Sequence, residues 1–345
     1  MNMVIVHPGT LGDVLLSLNA MRAIRRSFPT KRCVWVGKSE IGDLLYSLGE
    51  IEHAISLDSG FFTDLFLPFE QRRGATNDIL KDTSHFIGWF SDPQALLSQS
   101  LHTNGLSDVI VRSPHDEELS TQHYEDRFLE TLCQWNLAQD DAPSCGLEFP
   151  QDVLKEMEAP SSDTHTFSNA QKIMIHPGSG SPHKCTSVAQ LVSIATQLHQ
   201  NGTRRREFMI IEGPADEKNV KGLCVALEAV PHTVIHQQSL SVVSMMLPSV
   251  DLFIGHDSGL THLAAVCGVP SIALFGPTDP MVWAPRGKHV AIIQGNACRC
   301  HDWTSVQACT YKPCLNMSTE KIINQAECWL ETQSAAVRGF HHIPQ

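Results

Sequence analysis

Hydrophobic positions along this chain alternate between two patterns. Short apolar runs (Val4–Val6, Cys33–Val36, Ala54–Leu57, then Ile173–Ile175, Phe208–Ile211, Thr233–Ile235, Leu252–Ile254 and Ser271–Phe275) read as buried parallel strands. Between them, apolar residues recur at helical spacing, as with Val14, Leu15, Leu18, Met21 and Ile24 over residues 14–27. Further helices are expected over 41–48, 187–199, from 216, over 241–247 and over 258–267. This alternation predicts an α/β fold with parallel sheets. Residues 58–120 are less regular. Strands are expected at 85–90 and 108–111, a Leu-rich helix at 93–101, and another helix over 123–135.

The pattern also starts twice. Val4-Ile5-Val6-His7-Pro8-Gly9-Thr10-Leu11-Gly12-Asp13 opens the chain, and Ile173-Met174-Ile175-His176-Pro177-Gly178-Ser179-Gly180 reopens it about 170 residues later. Each is a strand breaking into a Gly-containing loop and then a helix, which sets unpaired backbone N–H groups where anions bind in α/β folds. Two Rossmann-like domains facing each other across a cleft are therefore expected, over 1–165 and 166–335, with the polar stretch 159–164 as linker. A helix at 318–333 is placed either with the second domain or back against the first. A chain of 345 residues fits two such domains.

Charge narrows the partners. Residues 1–170 hold 12 Lys and Arg against 25 Asp and Glu, and the remainder hold 13 against 12. An acidic half and a neutral half exclude the basic footprint that nucleic acid requires. The cluster Arg22, Arg25, Arg26, Lys31 and Arg32 is either a solvated helix face or a surface for an anionic substrate or membrane. The N-terminus lacks a basic n-region and its apolar run stops at His7, so a cytoplasmic protein with reduced thiols is expected.

The densest chemistry lies at Gly255-His256-Asp257-Ser258-Gly259-Leu260-Thr261-His262, followed by Phe275-Gly276-Pro277-Thr278-Asp279-Pro280. A helix starting near Ser258 can receive a diphosphate on the Ser258 and Gly259 amides, with His262 one turn along on the same side. Asp257 is either part of that site or simply the helix N-cap. His7 and His176 stand at strand ends, where each either donates to a ligand or fills the turn. Cys298, Cys300, Cys309 and Cys314 are either free or disulfide-linked thiols or ligands of a structural metal.

In this order and spacing, these segments resemble glycosyltransferase family 9, the ADP-heptose:lipopolysaccharide heptosyltransferases. The resemblance rests on Gly12-Asp13-Val14-Leu15, on His176-Pro177-Gly178-Ser179 through Lys184, and on Asp257 to His262 and Phe275 to Pro285 with Trp283. It implies a GT-B fold, an inverting and metal-independent transfer of a heptose or related sugar from an ADP-sugar to a lipopolysaccharide core or similar glycan, and no cofactor. Asp13 is then the general base on the acceptor hydroxyl, and Lys184 pairs with the diphosphate. Thr10 and Gly12 belong to the acceptor-side loop. Gly178, Ser179, Asp257, Ser258, Gly259 and His262 belong to the donor side, with Asp216 at the nucleoside ribose or merely at a helix start. A glycan or glycolipid acceptor leaves room for peripheral contact with the inner membrane face. Two departures are visible: Cys185-Thr186-Ser187 replaces the family's aromatic-Pro pair after Lys184, and Asn19 stands where Pro is usual. The competing readings are a nucleotide-sugar 2-epimerase of the same architecture and a non-catalytic binding protein. The first needs several acid/base groups around one sugar where this loop offers essentially Asp13, and the second has no need of both Asp13 and Lys184.

Overall fold

The computed structural model describes residues 1–115, 122–135, 137 and 170–339, the side chains only as far as residue 332. The described residues fall into two compact units, one N-terminal and one C-terminal. The expected linker at 159–164 and the domain border at 165 lie outside the described residues.

The first unit is a five-stranded sheet, β1 (Asn2–Val6), β2 (Arg32–Gly37), β3 (His53–Ser56), β4 (Thr83–Gly88) and β5 (Asp108–Val111), in the order β3-β2-β1-β4-β5. All pairings are parallel. The helix expected over 14–27 is interrupted: α1 (Leu11–Leu16) and α2 (Leu18–Ser27) meet at Ser17, whose hydroxyl donates to the Val14 carbonyl at 2.7 Å. That local bond competes with a regular helix. Next come α3 (Ser39–Ser47), α4 (Phe61–Asp64), α5 (Gly74–Lys81), α6 (Leu96–Thr103) and α7 (Tyr124–Glu130). Phe61, Leu65 and Leu80 carry the irregular stretch before β4 into the core formed by Val4, Val6 and Phe86. Two residues of the basic cluster, both on α2, are paired. Arg22 binds Glu50 at 2.6 Å and Arg25 binds Glu52 at 2.8 Å, tying α2 to the start of β3.

The second unit holds six parallel strands, β6 (Gln171–His176), β7 (Arg206–Glu212), β8 (His232–His236), β9 (Leu252–His256), β10 (Ser271–Phe275) and β11 (Val290–Gln294). Their order β11-β10-β9-β6-β7-β8 is that of a full doubly wound dinucleotide-type sheet. The helices are α8 (Val188–Asn201), α9 (Glu217–Ala226), α10 (Leu240–Met246), α11 (Gly259–Val266), α12 (Pro280–Trp283), α13 (Trp303–Ala308) and α14 (Thr319–Gly339). α14 packs Ile322, Ile323, Ala326 and Leu330 into this unit's own core, beside Ile173, Leu191 and Ile254, so its described apolar face belongs to the second sheet. No helix of the described residues is long and apolar enough to cross a membrane.

In each sheet the strand order reverses beside the first strand, between β1 and β4 and between β6 and β9. Ligands of doubly wound folds bind outside the carboxyl ends of the strands at that switch point. His7 to Asp13 follow β1; His176 and His256 end β6 and β9, and Pro177 to Lys184 and Asp257 to Ser258 follow them.

Candidate active site

In the second unit the switch point is filled by a connected polar network. Ser258 caps α11, its Oγ accepting from the Thr261 N–H, so the cap is Ser258 and not Asp257. The same Oγ lies 3.1 Å from His176 Nδ1, and His176 Nε2 lies 2.9 Å from Asp216 Oδ2. Asp216 Oδ2 also accepts from the Gly213 N–H at 2.9 Å. Burial pushes the Asp216 carboxyl upward, but the His176 hydrogen bond and charge outweigh it and hold it below the usual range. Asp216 is 7 % exposed, and a Cβ on Gly178 would fall 1.7 Å from its Oδ1. Gly178 is therefore glycine because the loop backbone passes directly over this carboxylate. His176 braces the turn by bridging Asp216 and Ser258.

Asp257, free of any capping duty, accepts from Lys184 Nζ at 2.7 Å and from Thr278 Oγ1 at 2.7 Å. Ser179 Oγ donates to the Asp257 carbonyl at 2.6 Å. Three loops thus converge on one residue: the turn after β6, the turn after β9, and the Gly276-Pro277-Thr278 turn after β10. Lys184 remains partly exposed, with 24 % of its side chain accessible, whereas the Asp257 side chain is 8 % exposed. The result is a cation held at the N-terminus of α11, whose first-turn amides face the same way as the helix dipole's positive end. An ammonium beside free helix amides suits phosphate oxygens chemically. Gly259 opens the helix at an accessible position, and His262 is buried one turn along.

His256 underpins the loops from beneath. It is fully buried, its Nε2 accepts from the Thr186 N–H at 3.0 Å, and its Nδ1 lies 3.2 Å from the Gly178 carbonyl. An amide donor on one nitrogen and a carbonyl on the other fix a neutral ring protonated at Nδ1. Burial, followed by the nearby His176, lowers its pKa to about 4.

In the first unit, Asp13 sits in the first turn of α1. The Thr10 N–H and hydroxyl both donate to Asp13 Oδ2, at 2.8 and 2.7 Å, closing a capping box between residues three apart. Asp13 is half-buried, Thr10 exposed and Gly12 half-buried in the same turn. His7 is buried, its Nδ1 accepting from the Gly9 N–H at 3.0 Å within a cage of Trp35, Trp89 and Phe128. Burial lowers its pKa to about 4. Like His176, His7 is a buried brace of its turn. Asn19, the departure on α2, bonds Glu125 of α7 and so replaces a proline's packing by a polar tie between helices.

Acid should therefore loosen both units. In the unfolded chain His7 and His256 titrate near their ordinary value of about 6.5, well above their folded values. As pH falls below that value the unfolded chain takes protons that the folded chain refuses, so stability drops until the folded values are reached. Each histidine is expected to withdraw on the order of 3 kcal/mol across that window. Thermal melts between pH 7 and pH 4.5 check it, and a melting temperature constant over that range contradicts it.

Two doubly wound sheets with a phosphate-type loop at the second switch point define a GT-B enzyme. The chain belongs to glycosyltransferase family 9, the heptosyltransferases, whose family model matches residues 109–313, and it is a glycosyltransferase. It is 23 % identical over 302 residues to lipopolysaccharide heptosyltransferase 1 of Campylobacter coli, covering 81 % of this chain and 84 % of that one. Among solved structures it is similar to the glycosyl transferase family 9 protein of Veillonella parvula, with a TM-score of 0.75, 18 % identity, and coverage of 96 % and 97 % of the two chains. It is also similar to the E. coli ADP-heptose lps heptosyltransferase II, with a TM-score of 0.69, 18 % identity, and coverage of 97 % and 100 %.

Gly178, Ser179, Lys184, Asp216, Asp257, Ser258, Gly259 and His262, which the sequence assigns to the donor side by resemblance, all stand in the second unit. Thr10, Gly12 and Asp13 stand in the other. The parts that went unremarked are Thr278 as a partner of Asp257, and His256 with Thr186 as the support of the loop. Thr278 was within reach of a sequence argument, since it follows a Gly-Pro turn at a strand end. His256 was not, because a buried histidine is defined only by the groups folded around it.

Proposed function

We propose that this chain is an inverting, metal-independent heptosyltransferase that moves a heptose or related sugar from an ADP-sugar to a lipopolysaccharide core or similar glycan acceptor. The observation carrying this reading is the Lys184–Asp257–Thr278 cluster at the N-terminus of α11. It offers an ammonium and helix amides to a diphosphate, the group that must accumulate charge as the sugar departs. The family relationship and the ADP-heptose named for the E. coli heptosyltransferase II support ADP-heptose as donor.

In this mechanism the acceptor hydroxyl attacks the anomeric carbon from the face opposite the diphosphate. Asp13 removes its proton as the new bond forms, and the configuration inverts. Lys184 and the amides of Ser258 and Gly259 stabilise the leaving diphosphate. Asp257 does not bind phosphate itself, since two anions would repel; it aims the Lys184 ammonium. Asp216 acts as a positioning residue, holding His176 and the Gly178 backbone from below. Thr10 secures Asp13 through Oδ2, and no hydrogen bond to Asp13 Oδ1 is present among the described residues.

Metal independence has a direct test. The chain contains no Asp-x-Asp pair of the type that holds a divalent ion against a diphosphate, and Lys184 supplies the charge that such an ion provides elsewhere. After exhaustive EDTA treatment the transfer rate is expected to be the same within about two-fold with and without added Mg²⁺ or Mn²⁺, whatever becomes of a thiolate-bound structural ion. A loss restored by Mg²⁺ or Mn²⁺ contradicts the reading. The epimerase alternative is separated by nucleotide release: a transferase frees ADP only with acceptor present.

A further inference from the structure

The segment after β11 contains a second cluster of reactive side chains, apart from the residues assigned to transfer. The Sγ atoms of Cys298, Cys300 and Cys309 all lie within 4.8 Å of one another, Cys298 and Cys300 being 3.1 Å apart. Cys314 is buried five residues further along the same segment. All four are free thiols rather than disulfides. A disulfide consumes two sulfurs and gives no reason for three to converge. A tetrahedral ion bound to thiolates at about 2.3 Å places its ligands about 3.8 Å from one another, which is the scale of this cluster.

The backbone around the thiols is shaped for the same purpose. Lys312 adopts a left-handed conformation, φ 41°, and its N–H donates to Cys309 Sγ at 3.3 Å. An amide turned onto a ligand sulfur three residues back offsets thiolate charge and orients the ligand. Between Cys300 and Cys309 the chain makes one compact excursion, α13, capped by Asp302 accepting from the Ser305 N–H at 2.6 Å. A Cβ on Gly295 would fall 2.0 Å from the Cys314 carbonyl oxygen, so glycine there lets the two ends of the segment touch.

We propose that Cys298, Cys300, Cys309 and Cys314 bind one thiophilic metal ion in a tetrahedral, structural site. The four thiols lose their protons on binding, giving a tetrathiolate around a divalent ion. All-sulfur tetrahedral coordination suits zinc or a single iron. The site acts on the donor loop without entering the reaction. The segment it anchors supplies the Leu315 carbonyl that accepts from Thr186 Oγ1 at 3.0 Å and the Met317 carbonyl that accepts from Gln190 Nε2 at 2.5 Å. It also brings Lys312 Nζ to 2.6 Å from His183 Nδ1, next to Lys184. The metal therefore pins the wall against which the diphosphate loop rests.

The test uses the full chain, purified without added metal and dialysed. Elemental analysis is expected to return about one equivalent of zinc or iron per chain, with visible absorption present for iron and absent for zinc. Stripped protein given Co²⁺ should develop the visible bands of tetrahedral cobalt and near-ultraviolet thiolate charge transfer. Stripped protein given Zn²⁺ should lose about four reactive thiols towards a thiol reagent. Cys309→Ser should abolish the cobalt spectrum, whereas Cys328→Ser, at an exposed cysteine on α14, should retain it. The wild-type measurements do not depend on whether the Cys309 variant folds. Metal below about a tenth of an equivalent, together with thiols whose reactivity zinc leaves unchanged, overturns the proposal. So does a Cys309→Ser protein that keeps the cobalt bands.

Discussion

Asp13→Asn is expected to lower kcat for transfer about a thousand-fold while leaving donor affinity within a few-fold. The substitution is clean for a structural reason. Asp13 Oδ2 accepts from the Thr10 N–H and hydroxyl, and an Asn amide oxygen accepts equally well at that place. The α1 cap therefore survives, and only the capacity to take a proton is lost. Asp13→Ala additionally removes the cap, which costs about 1 kcal/mol of stability, so a comparison of the two variants separates mechanism from folding. Steady-state kinetics with a calorimetric donor titration checks the expectation. An Asn variant with near-normal kcat removes Asp13 from the chemistry.

The second large effect concerns Lys184. Lys184→Ala is expected to reduce kcat about a hundred-fold, in line with removing one preorganised group that stabilises leaving-group charge. It should also weaken ADP binding by about 1–3 kcal/mol while leaving adenosine almost unaffected. Two causes act in the same direction. The ammonium that meets the diphosphate is gone, and the buried Asp257 carboxylate, left with Thr278, now faces the phosphates uncompensated. Replacing Asp257 by Asn in the Lys184→Ala background should recover part of the lost ADP affinity, because it removes that repulsion. Equal losses for ADP and adenosine would mean that Lys184 shapes the pocket rather than meeting the phosphates.

The sheets were legible in the sequence because buried parallel strands are apolar at every position. β9 and β10 are buried at all five of their residues. β11 was not anticipated, although its Val290-Ala291-Ile292-Ile293 run is at least as apolar as β8, the opposite edge strand. Residues 58–82 were illegible for a structural reason. Their order depends on polar bonds between non-adjacent positions, such as Arg73 and Thr76 on Asp64 at 2.8 and 2.6 Å and Arg72 Nη2 on Ser100 Oγ at 2.8 Å. Such bonds leave no periodicity.

The site shows the same division. Gly-containing turns at strand ends picked out the loops that follow β1, β6 and β9. The roles of neighbouring polar residues stayed open, because either Asp257 or Ser258 can cap a helix. Only the arrival of Lys184, 73 residues away, and of Thr278 settles which of them does so. The four cysteines posed a similar ambiguity, since their C-x-C-x8-C-x4-C spacing departs from the usual paired motifs. Their convergence depends on a left-handed residue and a glycine contact that spacing does not encode.

The central claim is acceptor-dependent, inverting transfer from an ADP-sugar. Its most direct measurement follows ADP release from ADP-heptose by the full chain, with and without a heptose-free lipopolysaccharide core acceptor, and determines the anomeric configuration of the new linkage by NMR. The expected result is ADP release only when acceptor is present, matched mole for mole by heptosylated product of inverted configuration. Release without acceptor, a product of retained configuration, or no transfer from any nucleotide diphosphate sugar would contradict the account.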